Sequence, residues 1–153
     1  MPTFASSDKQ TIQIQSSKQR VADTLSSPDR IRELMGDKLD YAETLDAHTL
    51  RLIRKPVEEK GVRFRGEQTI RYEYNGNGTV TWKTISEGNM RSRGEARLTE
   101  VSDTVTSVEY RETIECDMDV NRLLAAILRP IVEYKIKTGI TDHLNRLKLA
   151  LEG

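Results

Sequence analysis

Apolar residues follow three different spacings along the chain. Near the N-terminus Ile12 and Ile14 alternate with Thr11, Gln13 and Gln15, the period of a strand with one buried face, predicted over Thr11–Gln15. Two short helical patterns follow. Ser17 caps a segment in which Val21 and Leu25 sit four apart. Ser27, Pro28 and Asp29 then open a second, whose stripe of Ile31, Leu34 and Met35 stops at Gly36. From Lys38 the period returns to two for about eighty residues, so antiparallel strands are predicted near Lys38–Leu45, Thr49–Lys55, Val62–Tyr74, Thr79–Ser86, Arg91–Val101 and Val105–Asp117. Asn75-Gly76-Asn77-Gly78 reads as a hairpin turn, not a phosphate loop, because the residues after it alternate as a strand instead of opening a helix. In the last section Leu128, Val132, Ile136, Ile140, Leu144, Leu147 and Leu151 recur at spacings of three and four. They predict one long helix over Val120–Leu151, bent at Pro130.

One strand, two short helices, six antiparallel strands and a long C-terminal helix resemble the START-like, or SRPBCC, superfamily, which includes the birch-pollen allergen family and the polyketide cyclase/dehydrase-like proteins. The more specific pieces are Val21–Gly36, with its Ser27-Pro28-Asp29-Arg30 break, and the ending Gly139-Ile140-Thr141-Asp142-His143-Leu144-Asn145-Arg146-Leu147-Lys148. The resemblance implies an α+β helix-grip fold. A seven-stranded curved antiparallel sheet would wrap the long helix and leave an elongated cavity. It implies one domain over residues 1–153, with residues 1–8 read as a flexible N-terminal segment. Members of the superfamily bind hydrophobic molecules, act on them, or contact other proteins, so a fold of this kind gives a class of function without an identity.

Strand alternation nominates the side chains that would face such a cavity. Val62, Phe64, Gly66, Gln68, Ile70, Tyr72 and Tyr74 share one face, and Val80, Trp82, Thr84 and Ser86 another. Gly94 and Ala96 are small enough to leave volume beside Leu98. On the last strand Glu112 falls on the face of Val108, Tyr110, Ile114, Cys116 and Met118, which points a carboxylate inward unless a bulge or a basic partner at the mouth removes it. Leu124, Ile127, Leu128, Ile131, Val132 and Lys135 would present the helix to the sheet, with Lys135 keeping its ammonium wet. The ligand-binding set expected is therefore Gln68, Ile70, Tyr72, Trp82, Thr84, Ala96, Tyr110, Glu112, Ile114, Leu124, Leu128 and Ile131, with Glu112 the candidate general acid/base. The loops Pro56–Gly61 and Glu87–Met90 would gate access.

Composition narrows the classes. Twenty-four Lys and Arg balance twenty-four Asp and Glu, and the basic set Arg51, Arg63, Arg65, Arg71, Arg91 and Arg93 is diluted by Glu67, Glu73 and Glu95, so no nucleic-acid partner is expected. One cysteine, Cys116, and two histidines, His48 and His143, offer no disulfide framework and no metal site. Cys116 reads as a small buried hydrophobe and His143 as a partnered packing histidine. No cofactor motif is present, and no apolar run approaches the roughly 20 residues that span a bilayer. Without a recognisable export signal a reducing, cytoplasmic setting is expected. The expected function is binding or transport of a small hydrophobic or amphipathic ligand: a lipid, a polyketide or an aromatic compound. A cyclase/dehydrase-like enzyme and an interaction module with a closed core are the alternatives, and the pattern allows a homodimer in each.

Overall fold

A computed structural model describes all residues 1–153. The strands are β1 (Thr3–Ile14), β2 (Leu39–Asp46), β3 (Thr49–Arg54), β4 (Val57–Glu59), β5 (Val62–Phe64), β6 (Glu67–Tyr74), β7 (Thr79–Thr84), β8 (Met90–Ser102) and β9 (Val105–Asp117). The helices are α1 (Lys18–Leu25), α2 (Pro28–Met35) and α3 (Arg122–Glu152). Seven strands form one antiparallel sheet in the order β1-β9-β8-β7-β6-β3-β2, while β4 and β5 make a separate two-stranded ribbon. The fold class is the expected one: a helix-grip sheet, two short helices after the first strand, and a long C-terminal helix.

Two expectations need correction. Residues 1–8 are not a free segment, because β1 begins at Thr3 and pairs with β9 from Thr3↔Asp117 to Ile14↔Thr106. Phe4 and Ser6 are buried there. Nor is Val62–Tyr74 one strand. It breaks at Arg65 and Gly66, the first part folding back on Val57–Glu59 across the turn at Lys60 and Gly61, both at positive φ. Only Glu67 onward joins the main sheet.

Local chemistry explains where the helices begin and end. The side chains of Ser17, Ser27 and Asn121 accept from the backbone N–H groups of Arg20, Arg30 and Leu124, at 3.3, 3.3 and 2.9 Å. Gly36 closes α2 at a φ of 42°. The helix α3 runs without interruption through Pro130. Of its face expected towards the sheet, Leu128 and Val132 are buried, but Ile127 is 49% exposed.

The dry core lies at one end of the sheet. There α1 packs on β7, β8 and β9, and Arg20 Nη1 donates to the Leu151 carbonyl at 3.1 Å, tying α1 to the end of α3. Ile14, Val21, Val80, Val108, Leu144 and Leu147 are sealed from solvent. On the outer face, cross-strand ion pairs such as Arg91–Asp117 at 2.7 Å and Arg91–Glu115 at 3.2 Å occupy the charged alternation.

Candidate functional site

The other end of the sheet is hollow. A cavity of about 420 Å³ lies between the sheet and the middle of α3, and sixteen of its thirty lining residues are hydrophobic. That volume falls within the roughly 300–1,000 Å³ of small-molecule sites. Gln68, Ile70, Tyr72, Trp82, Tyr110, Glu112 and Ile114 line it, as the alternation predicts. Thr84, Ala96, Leu124, Leu128 and Ile131 do not. Ala96 and Leu128 are buried in the core, and Leu124 and Ile131 are half-buried on α3. Thr84 stands behind Gln68 instead: its hydroxyl donates to Gln68 Oε1 at 2.7 Å while accepting the Ser92 N–H at 2.8 Å, which fixes the amide of Gln68.

The polar centre of the cavity follows from strand register. Tyr72 pairs with Trp82, Trp82 with Gly94, and Gly94 with Glu112, so these four residues form one row across β6, β7, β8 and β9. Neighbouring strands are about 4.8 Å apart, and Trp82 and Glu112 are separated by a whole strand. Gly94 removes the obstacle, since a Cβ there would lie 2.5 Å from Trp82 Cζ2 and 2.5 Å from the Arg111 carbonyl oxygen. The space expected to serve a ligand beside Gly94 is thus filled by the indole, whose Nε1 donates to Glu112 Oε2 at 2.7 Å. Tyr110 donates its hydroxyl to Glu112 Oε1 at 3.2 Å.

No bulge turns Glu112 outward, for its pairing with Gly94 and Asp8 is regular. Desolvation raises its pKa above the ordinary carboxylate value, opposed by the hydrogen bonds from Trp82 and Tyr110 and by the charge of Arg54. Burial likewise raises the tyrosines: Tyr72 and Tyr110 stay neutral phenols. The rings of Tyr72, Trp82, Tyr110 and His143 follow one another at centroid separations of 6.4, 5.0 and 6.2 Å. His143 was expected to be a partnered packing residue, yet it lines the cavity and no hydrogen bond holds its ring. Burial lowers its pKa to about 4, with Arg54 and Lys38 adding to the effect. Cys116 behaves as expected, buried and with its thiol pushed up to about 11 by desolvation.

Sequence reasoning missed Arg54. Leu50, Leu52 and Arg54 occupy alternate positions of β3 and share its inward face, a signal that lay in the pattern. The Arg54 N–H donates to the Gly66 carbonyl at 2.8 Å, and the Arg54 stem packs beside Gly66. The guanidinium lines the cavity, and its Nε is shut off from solvent without a hydrogen-bond partner.

The mouth is ringed by ion pairs. Lys38 meets Asp142 at 2.5 Å, Arg146 meets Asp37 and Asp142 at 3.0 Å each, and Lys135 meets Glu59 at 2.9 Å. Lys135 is therefore paired as well as wet. Of the predicted gating loops, Pro56 and Val57 form part of the wall and so does Met90. Asn89 fastens the second loop to the β5–β6 break, donating to the Arg65 carbonyl at 2.8 Å and accepting the Glu67 N–H at 2.9 Å. No cluster of three or more His, Cys, Asp or Glu side chains suits a metal ion, and no helix is long and apolar enough to cross a membrane.

No protein-family model matches this sequence, and no curated protein matches it. Solved structures do. A START superfamily protein from Mycobacterium smegmatis is 13% identical, with a TM-score of 0.69 over 95% of this chain and 97% of that one. The Zhui aromatase/cyclase from a Streptomyces species is 12% identical, with a TM-score of 0.72 over 97% and 94%. Norcoclaurine synthase from Thalictrum flavum, in complex with dopamine and hydroxybenzaldehyde, is 12% identical, with a TM-score of 0.60 over 98% and 88%. At such identities the similarity concerns architecture, and the architecture shared by all three is the START-like helix-grip fold that this chain adopts.

Proposed function

We propose that the protein binds a small amphipathic molecule in the cavity between its sheet and α3, as a carrier, sensor or store. The observation that carries this reading is the cavity itself: about 420 Å³, walled mostly by apolar groups, with a few fixed polar groups at one side. Burial of ligand surface at roughly 25 cal/mol per Å² supplies the affinity. Gln68, Tyr110, Glu112 and His143 supply orientation, and Ile70, Tyr72, Trp82 and Ile114 supply apolar and aromatic contact. Norcoclaurine synthase, which shares the fold, holds aromatic molecules in its solved complex, and an aromatic ligand suits the row of rings here. A closed-core interaction module is disfavoured by the same open volume.

Native mass spectrometry of the purified protein, followed by denaturing extraction, tests the reading. A stoichiometric small molecule, or uptake of a neutral fluorescent dye such as Nile red, is the expected result. A protein that carries nothing and takes up no dye would overturn it.

One observation favours a second reading, acid/base catalysis on the bound molecule. Glu112 is a carboxyl group with a raised pKa, held by two donors against an aromatic wall, the kind of environment that suits a carboxylic acid to proton transfer. Under this reading Glu112→Gln abolishes turnover of an aromatic or polyketide-like substrate and leaves its binding intact. Neither reading needs a second copy of the chain. A homodimer has the exposed edge of β2 available, where Tyr41 and Leu45 are 41% and 49% exposed. A cytoplasmic location remains part of the proposal, in keeping with the single free thiol of Cys116.

A further inference from the structure

The cavity wall holds a cation that no protein group contacts as a direct partner. Arg54 lies inside, its guanidinium in no hydrogen bond and no ion pair, and its Nε is sealed. The other basic groups on the wall are accounted for. Lys38, Lys135 and Arg146 are each paired with a carboxylate at the mouth, and Lys55 is exposed to solvent at the rim. Glu112 offsets the charge of Arg54 through space but makes no hydrogen bond or ion pair with it, its oxygens accepting from Trp82 and Tyr110. An arginine keeps its charge even where burial opposes it, as burial does here. A guanidinium on an apolar cavity wall, with its Nε sealed and no protein acceptor, is costly to the empty protein, and a partner that supplies both an opposite charge and two coplanar acceptors lowers that cost.

Resting on the cavity-binding reading above, we propose that the ligand is an amphipathic monocarboxylic acid, its carboxylate held by Arg54 and its apolar body against the aromatic and aliphatic wall. The planar fork of the guanidinium matches a carboxylate edge to edge. A dianionic phosphate would bring a second charge into an apolar cavity whose other unpaired cation, Lys55, is exposed to solvent at the rim. Gly66 borders the same wall: Sδ of Met90 occupies the space a larger residue would claim, lying only 2.7 Å from an added Cβ.

Calorimetric titration of the intact protein with 6-hydroxy-2-naphthoate and with its uncharged methyl ester tests the assignment. The acid is expected to bind about tenfold or more tightly than the ester, the range of one charge-assisted contact. Arg54→Gln should erase that preference while leaving the ester affinity within about twofold, and Arg54→Lys should restore part of it by keeping the charge without the fork. Equal binding of acid and ester by the unaltered protein overturns the inference independently of any variant. So does an acid preference that survives in Arg54→Gln, which would put the carboxylate on Lys55, Lys38 or Lys135. If Nile red binds but the acid does not, the carboxylate assignment falls and the cavity reading stands; if nothing binds, both fall.

Discussion

At one end of the sheet Val80 and Val108 lie sealed beneath α1, with Leu144 and Leu147 of α3 equally closed off. At the other end the same alternation of β6, β7 and β9 presents Gln68, Tyr72, Trp82 and Glu112 to an open volume, and the helix opposite presents Gly139 and His143. The strands are continuous between the two ends. What differs is the identity of the inward residues and the side chains placed over them: aliphatic groups that interlock at the first end, polar and aromatic groups that leave space at the second. The filled end supplies stability and the hollow end spends some of it on buried polar groups, an arrangement expected where a site has to be held rigid.

The largest test of this contrast is truncation. Leu147→Ala removes a fully buried side chain from the filled end and should cost about 2–5 kcal/mol. Ile114→Ala enlarges a space that already exists, where the side chain has partners on fewer sides, and should cost less than half as much. Urea unfolding of both variants at pH 7 measures the difference, and equal losses would mean that the two ends pack alike.

Acid should act on the hollow end through His143. Its ring titrates near 6.5 when exposed and at about 4 in the folded protein. Between these values the unfolded chain binds the proton and the folded one does not, so stability present above pH 6.5 is lost as pH falls towards 4. From pH 7 to pH 5 this amounts to as much as about 2 kcal/mol. Arg54, Lys38 and Arg146 strengthen the effect and Asp142 opposes it. His143→Leu should therefore lose correspondingly less stability than the unaltered protein between those two pH values. Glu112 works in the opposite sense. Its raised pKa favours the folded state while it is protonated, and that contribution is lost as pH rises through the folded value, so Glu112→Gln should remove a loss of stability that begins above the ordinary carboxylate range.

Gly94→Ala sharpens the contrast at a single atom. The new methyl meets both the Trp82 ring and the Arg111 carbonyl, an overpacking expected to cost about 1–3 kcal/mol. Because Trp82 is the only tryptophan, its fluorescence reports directly whether the indole has left Glu112. An unshifted emission spectrum would argue against the bridge across β8.

The inward faces of β6, β7 and β9 were legible because alternation fixes a face wherever large apolar residues mark it. β1 was legible only from Thr11 onward: its earlier half places one large apolar residue, Phe4, among Ser6, Ser7 and Asp8, and pairing with β9 rather than pattern makes it a strand. Arg54 was passed over because charge normally marks the outside, although Leu50 and Leu52 had already fixed its face. Leu124, Leu128 and Ile131 fail as cavity residues for a different reason. Periodicity says which side of α3 is buried, whereas the stretch of that side lying over the hollow depends on how the helix is placed along the sheet, which no local pattern encodes.

Gly139 marks that stretch, and it supports the smallest but most discriminating prediction. It lies in the interior of α3 on the cavity wall, and an added Cβ there meets nothing within 4 Å. A glycine inside a helix costs roughly 0.5–1 kcal/mol relative to alanine, so Gly139→Ala should raise stability by about that amount in urea unfolding. A helix position that gives up stability while facing empty space is consistent with the space having a use. Gly139→Phe carries the test further, since a ring at that position projects into the hollow without straining the backbone. It should keep the fold, give the same far-ultraviolet circular dichroism, and abolish uptake of Nile red. If Gly139→Phe still binds the dye as tightly as the unaltered protein, the ligand lies outside the cavity, and the contrast between the two ends is one of packing alone.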